Sequence, residues 1–333
     1  MKKIITSQTE NTAWQYELRH AVREPSHLLQ LLALPTSLLD TIVTENQDFS
    51  LRVPHGYVAK MEKGNINDPL LRQVLPLKTE QNNVPNFVTD PVGDKKVEKI
   101  AGLLHKYQGR VLLVATGACA IHCRYCFRRH FDYANAYNLN HPAFLEAIQA
   151  DKTIQEVILS GGDPLNLSDE KLPTFINNLA KISHVKRLRI HTRLPIVLPE
   201  RMTANLLSIL TATRLQTVMV VHANHANEID EIVGQTLFLL TKHGINVLNQ
   251  TVLLKGINNE AQTLINLSER LFEYRVIPYY LHLLDRVQGA AHFEVSEEKG
   301  KQLIETMRCQ LSGYLVPKLV REVSGLPYKL PIV

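Results

Sequence analysis

The stretch "CAIHCRYCFRRHF", residues 119–131, holds Cys119, Cys123 and Cys126 in a C-x3-C-x2-C run, and the chain has one further cysteine, Cys309. Thiolates at that spacing can fold around one compact centre. Zinc asks for four tetrahedral ligands. A zinc site here would therefore recruit His122 or His130 beside the three thiols. An iron–sulfur cluster on three thiolates instead leaves one iron open to an outside ligand. Zinc motifs usually come as paired C-x2-C halves, so the spacing favours the cluster. Cys309 falls in a segment predicted as helix, beside Arg308, and reads as a lone half-buried thiol.

Elements that could position such a loop are visible on its C-terminal side. Short apolar or β-branched runs recur: "RVLLVAT" (110–116), "EVILSG" (156–161), "RLRIHT" (187–192), "TVMVVHA" (217–223), "INVLNQTVLL" (245–254) and "IPYYLHLL" (277–284). Most precede a helix-like segment, such as those starting at Ser168, Asn227 and Glu260. Near-continuous apolar strands alternating with helices imply a parallel sheet. Polar residues gather where these strands end: Thr116, Gly161-Gly162-Asp163, His191-Thr192-Arg193, His222, Gln250 and Asp285. Active sites of βα barrels are built at that edge, which favours a barrel of six βα units over a doubly wound sheet. Upstream, Ser26 and Thr36 are predicted N-caps of two helices, as are Ser168 and Ser296 further on. The polar, proline-containing residues 78–96 read as irregular structure or a boundary.

Composition narrows the class. In 333 residues, 37 are basic and 32 acidic, a surplus too small and too dispersed to argue for nucleic acid. No apolar run approaches the length of a membrane span, and the N-terminal residues lack the apolar core of a secretory signal. A cytoplasmic location follows by default. There thiols stay reduced, and clustered cysteines read as ligands rather than disulfides.

The C-x3-C-x2-C run with Tyr125 before its last cysteine, and the "GGDP" turn Gly161–Pro164, resemble the signature of radical S-adenosylmethionine (SAM) enzymes. Longer blocks sharpen this: "HKYQGRVLLVATGACAIHCRYCFRRHF", "RLRIHTRLPIVLPERM", "HANHANEI", "LNQTVLLKGIN", "DRVQGAAHF" and "SGYLVPKLV" together resemble the lysine 2,3-aminomutase family. The short bacterial branch that supplies (R)-β-lysine for elongation factor P is the most similar. The chain stops at Val333 without the C-terminal cysteine cluster of the long catabolic enzymes, which favours that branch.

The resemblance implies a partial (βα)6 barrel over 109–295, a mainly helical N-terminal extension over 1–108, and a C-terminal segment, 296–333. It implies a 4Fe-4S cluster on Cys119, Cys123 and Cys126, with SAM chelating the open iron and contacted by Ser160, Gly161, Gly162, Asp163, His222 and Gln250. Pyridoxal phosphate (PLP) would be carried by Lys329, its phosphate gripped by Lys106, Tyr107 and Arg110. Arg128 would hold the carboxylate of L-lysine, and Asp285 with Glu322 its distal ammonium. Two positions depart from the pattern: Lys106 stands where the family usually has Arg, and Glu322 where the long enzymes have Asp. The implied reaction moves the amino group of L-lysine from carbon 2 to carbon 3. The implied partners are an electron donor such as flavodoxin or ferredoxin, and elongation factor P with its lysine ligase. The rivals are an aminomutase releasing free β-amino acid for catabolism or osmolytes, one acting on arginine, and a zinc-stabilised binding module without catalysis.

Overall fold

The computed structural model describes residues 7–43, 49–135 and 139–333. Three helices come first: α1 (Ser7–Arg19), α2 (Pro25–Leu31) and the single turn α3 (His55–Val58). They lead into one ten-stranded sheet in which order along the sheet equals order along the chain. β1 (Glu98–Ile100), β2 (Leu103–Tyr107) and β3 (Arg110–Thr116) form an antiparallel meander. β4 (Glu156–Gly161), β5 (Arg187–Thr192), β6 (Gln216–Val221), β7 (Asn246–Val252) and β8 (Ile277–His282) then add in turn, each parallel to the one before. β9 (Lys318–Arg321) extends the parallel run and β10 (Leu330–Pro331) ends the sheet antiparallel to it.

Helices fill the crossovers: α4 (Pro142–Ala150), α5 (Lys171–Ala180), α6 (Leu194–Val197), α7 (Ala204–Thr211), α8 (Glu231–Lys242), α9 (Ala261–Glu273) and α10 (Glu297–Gln310). Their apolar residues recur every three or four positions. In α5 the buried set is Leu172, Phe175, Ile176 and Leu179, one face turned to the sheet. β4 is buried at every position but its last, as a strand covered on both faces must be.

Register explains how the sheet curls. Asn246 pairs with Val218, Ile277 with Leu248 and Lys318 with Tyr280, so later strands start part-way along their neighbours. That stagger tilts the strands and bends the sheet toward a barrel. The ends nearly meet: the Tyr107 hydroxyl at the end of β2 donates to Glu322 Oε1, just past β9, at 2.5 Å. β1 and β10 remain unpaired with one another, so the barrel is partial.

All six expected strand segments are present. The differences are local. β1 and β2 come from the segment expected to be mainly helical, and β9 and β10 add to the barrel from the C-terminal segment. Residues 78–96 are irregular apart from short 3-10 turns at Lys78–Gln81 and Asp94–Lys96. Ser296 caps α10 as expected, its hydroxyl accepting from Lys299 N at 3.2 Å. Ser26 and Thr36 do not cap: Glu24 precedes α2, with Pro25 supplying its first residue, and Thr36 lies inside a 3-10 turn after Pro35. Ser168 stands before α5 and accepts Lys171 N through its carbonyl, while Glu170 holds the N-cap position. Cys309, expected half-buried, is exposed on α10.

The loops after β3 and β4 are locked together. Gly162 N donates to Thr116 O at 2.7 Å and Asp163 N to Ala118 O at 2.8 Å. Gly161 has φ +120°, which an L side chain rarely adopts, and a Cβ on Gly162 would lie 2.5 Å from Ala118 O. Backbone cannot yield as a flexible side chain does. Gly162→Ala should therefore destabilise the fold by roughly 1–3 kcal/mol. Gly56→Ala, where a Cβ meets nothing within 4 Å, should not. Thermal melts of both variants check this.

Candidate active site

The loop after β3 carries Cys119, Cys123 and Cys126, all half-buried and all free. It is pinned from several sides. Arg124 N donates to Gln73 O at 2.9 Å, His122 N to Arg52 O at 3.0 Å, and Cys126 N to Cys123 O at 2.9 Å. Buried Glu80 receives Arg124 Nε at 2.8 Å and Arg129 Nη2 at 2.7 Å, and both guanidiniums lie over the Phe49 ring. The neighbouring imidazoles are engaged with backbone: His122 Nδ1 meets Ser50 O at 2.7 Å and His130 Nε2 meets Gln288 O at 3.2 Å.

Each thiol has a guanidinium neighbour. Arg52 faces Cys119, Arg128 and Arg129 face Cys126, and Arg193 Nη1 donates to Cys123 Sγ at 2.7 Å. Burial nevertheless pushes the Cys119 thiol well up, with Cys126, Asp163 and Cys123 adding to it. Burial and Cys123 raise Cys126 to about 11. Three thiolates here would need a cation to hold them, and the surrounding arginines suit a centre of net negative charge. Among the described residues no three His, Cys, Asp or Glu side chains close around a single metal-ion position.

The GGDP turn is used within the chain. Asp163 Oδ1 accepts from Thr192 Oγ1 at 2.7 Å and Leu165 N at 3.1 Å, and Oδ2 accepts from Arg193 N at 2.7 Å. Both carboxylate oxygens therefore tie the end of β4 to the end of β5. Gly161 and Gly162 approach the backbone of the cysteine loop.

Beside this loop the remaining charged candidates converge on two carboxylates. Asp94 accepts Arg128 Nε at 2.7 Å and pairs with Lys106 Nζ at 2.9 Å. Arg128 Nη1 reaches Ser160 Oγ at 3.0 Å. Burial raises the Asp94 pKa, but Arg128 and Lys106 outweigh it and hold the acid below its ordinary value. Glu322 accepts from Lys329 Nζ at 2.8 Å and Tyr107 OH at 2.5 Å, with Lys106 Nζ at 3.6 Å. Burial opposes its ionisation, yet Lys329, Tyr107 and Lys106 bring it below the ordinary glutamate range. Arg110 lies over the Tyr107 ring at 4.5 Å. Asp285 is raised to about 7, chiefly by burial and then by the carboxylates of Glu322 and Asp94, against the pull of Lys329 and Lys106.

Four side chains inside the curl each carry a polar atom with no hydrogen-bond partner. His191 Nε2, His222 Nε2, Gln250 Oε1 and His282 Nε2 are buried polar atoms without a hydrogen bond. The rings of His191 and His222 meet edge to face at 5.7 Å. Burial, with Arg193 and Lys329 nearby, brings His222 down to about 4, and burial lowers His191 and His282 well below the usual imidazole value. Neutral rings with orphaned nitrogens line a place suited to a polar ligand.

Sequence reasoning placed His222 and Gln250 here but assigned nothing to His191 or His282, although "RIHT" and "YYLH" put both on strands. Asp94 was missed outright, since nothing marks a lone acid in a turn. Arg193 and Glu228 were visible as residues but not as the buried pair they form at 2.7 Å.

Comparison with known proteins bears on the same residues. Residues 108–192, which span the cysteine loop and the GGDP turn, match the family model described as a 4Fe-4S single cluster domain. The L-lysine 2,3-aminomutase of Haemophilus influenzae is 47% identical over 322 residues, covering 96% of this chain and 95% of that protein. The chain belongs to the L-lysine 2,3-aminomutase family. The Escherichia coli L-lysine 2,3-aminomutase is 46% identical, covering 100% of this chain and 98% of its own length. That of Clostridium subterminale is 31% identical and extends further, with 77% of its length matched.

Asp94 is the hinge of the charged cluster in this family member. Asp94→Ala would leave Arg128 and Lys106 without their shared carboxylate in a buried setting. Breaking a buried pair on one side costs about 3–5 kcal/mol. Denaturant unfolding should show a loss of that order.

Proposed function

We propose that the protein is a radical SAM lysine 2,3-aminomutase that converts L-lysine to (R)-β-lysine in the cytoplasm for the modification of elongation factor P. The observation that carries the reading is the gathering of Lys329, Glu322, Lys106 and Asp285 beside a loop of three thiols, in a chain so similar to aminomutases over nearly its whole length. Among the described residues no helix is long and apolar enough to cross a membrane.

In this reading Cys119, Cys123 and Cys126 hold the 4Fe-4S cluster and Lys329 carries PLP. The cluster with SAM would supply one-electron radical chemistry, fed by a donor such as flavodoxin or ferredoxin, and PLP would supply a conjugated ring able to stabilise a neighbouring radical. The protein's own share is orientation and exclusion of water. Arg128 is held in place by Asp94 and Ser160, and its Nη2, which makes no hydrogen bond to a described residue, is offered to the substrate carboxylate. Asp285 and Glu322 receive the distal ammonium. Glu322 already holds one ammonium, that of Lys329, at 2.8 Å, so its geometry suits the charge it is proposed to bind. Lys106, Tyr107 and Arg110 serve the PLP phosphate. His222 and Gln250, whose buried polar atoms lack partners, serve SAM with Ser160 and the GGDP turn, the latter through backbone since the Asp163 carboxylate is occupied.

Anaerobic reconstitution with iron, sulfide and PLP, followed by L-lysine and SAM, should yield β-lysine and about four irons per chain. Zinc without iron would refute the cluster. Attachment of that β-lysine to elongation factor P by its ligase separates this role from release of free β-amino acid, and parallel incubation with arginine tests the substrate. Lys329→Ala should lose the visible absorbance of bound PLP while iron content stays at the parental level. A retained band would move the PLP site to another lysine.

The raised pKa of Asp285, about 7, gives a pH dependence with a definite sign. Only the ionised carboxylate attracts an ammonium, and below pH 7 the acid is increasingly protonated. Lysine affinity should fall by up to about tenfold per unit as pH drops below 7, since binding must then displace a proton. Calorimetry at pH 6 and pH 8 measures this, and equal affinities would remove Asp285 from the ammonium site.

A further inference from the structure

Arg193 follows β5 directly and is only 5% exposed. A buried guanidinium is expensive unless it is well bonded, and this one bonds through both terminal nitrogens while its Nε has no partner. Here Nη2 donates to Gln73 Oε1 at 2.6 Å, Glu228 Oε2 at 2.7 Å and Tyr57 OH at 3.1 Å. Glu228 is fully buried, and its other oxygen accepts Asn224 N at 2.7 Å, His225 N at 3.0 Å and Gln73 Nε2 at 3.2 Å. The backbone N–H of Arg193 is held by Asp163 at 2.7 Å, and its guanidinium lies between the rings of Tyr57 and Tyr125, 5.5 and 5.8 Å from their centroids. These contacts leave the group no room to swing. The nitrogen they aim outward is Nη1, and its partner is Cys123 Sγ at 2.7 Å.

We infer that Arg193 is a positioning residue for the cluster: its Nη1–H, aimed by the Glu228, Gln73 and Tyr57 cage, donates to the Cys123 sulfur and raises the cluster's reduction potential. The inference rests on the cluster reading above. Reduction adds one electron from an external one-electron reductant to the cluster and breaks no bond. The extra negative charge spreads onto the cysteine sulfurs, where a fixed donor stabilises the reduced form more than the oxidised one. Glu228 offsets the guanidinium's charge beyond the contact, so the directed hydrogen bond dominates. The GGDP acid has a share too, because Asp163 sets where Arg193 leaves the strand.

The test is an EPR-monitored redox titration of the reconstituted, full-length protein with dithionite, alongside iron and sulfide counts. Arg193→Gln should move the midpoint potential to more negative values at parental iron content, with Arg193→Lys recovering part of the shift. Glu228→Gln, nearly the same shape, should move it the other way, because the guanidinium's charge is then less compensated. A purely structural Arg193 would lower the melting temperature and leave the potential where it was, and that result overturns the inference. If Arg193→Gln does not fold or take up iron, Glu228→Gln decides alone: an unchanged potential is equally fatal. Parental protein that assembles no four-iron cluster would instead sink the cluster reading itself.

Discussion

Buried carboxylates that each hold cations on two sides organise this protein. Glu80 joins Arg124 to Arg129, Asp94 joins Lys106 to Arg128, and Glu322 joins Lys329 to Lys106. Glu228 takes Arg193 on one oxygen and backbone N–H groups on the other. Cations gathered around a loop of thiols and a basic lysine would repel one another in a low-dielectric interior. The carboxylates remove that penalty and, being hydrogen-bonded themselves, fix where each cation points. The staggered sheet supplies the frame, because only a curled sheet can bring Glu322, past β9, against Lys106 and Tyr107 on β2.

The βα rhythm from Arg110 onward was readable because each strand and helix declares its own period within a few residues. The cysteine loop was readable for the same reason: its three cysteines lie within eight residues of one another, Cys119 to Cys126. The carboxylate pairs were not. Asp94 meets Arg128 across 34 residues, and Tyr57 meets Glu228 across 171. No local pattern encodes such meetings. The same limit explains Ser26: a serine before an apolar run is a fair N-cap signal, but Pro25 can begin a helix and the cap moved upstream to Glu24.

Family likeness supplied roles where the pattern supplied only positions, and the structure adds what those residues do before any ligand arrives. Arg128, Lys106 and Glu322 are not waiting as free charges. Each is already paired, so a ligand entering here exchanges one set of ion pairs for another. Such exchange discriminates against molecules that cannot replace the bonds they break. The three inward histidines differ: each keeps a buried Nε2 whose hydrogen bond is unspent.

Lys329 stands immediately before β10, a strand of two residues, Leu330 and Pro331. Its second residue is a proline, which has no N–H to give the ladder, and the next tie is Ile332 N to Leu319 O at 2.9 Å. The tether on this lysine is thus among the thinnest in the sheet, while Glu322, which its ammonium meets, sits directly past the end of β9. Short, weakly laddered ends open locally at little free-energy cost. A lysine on such a tether can swing out and back without disturbing the barrel, so its movement is decoupled from the stability of the fold.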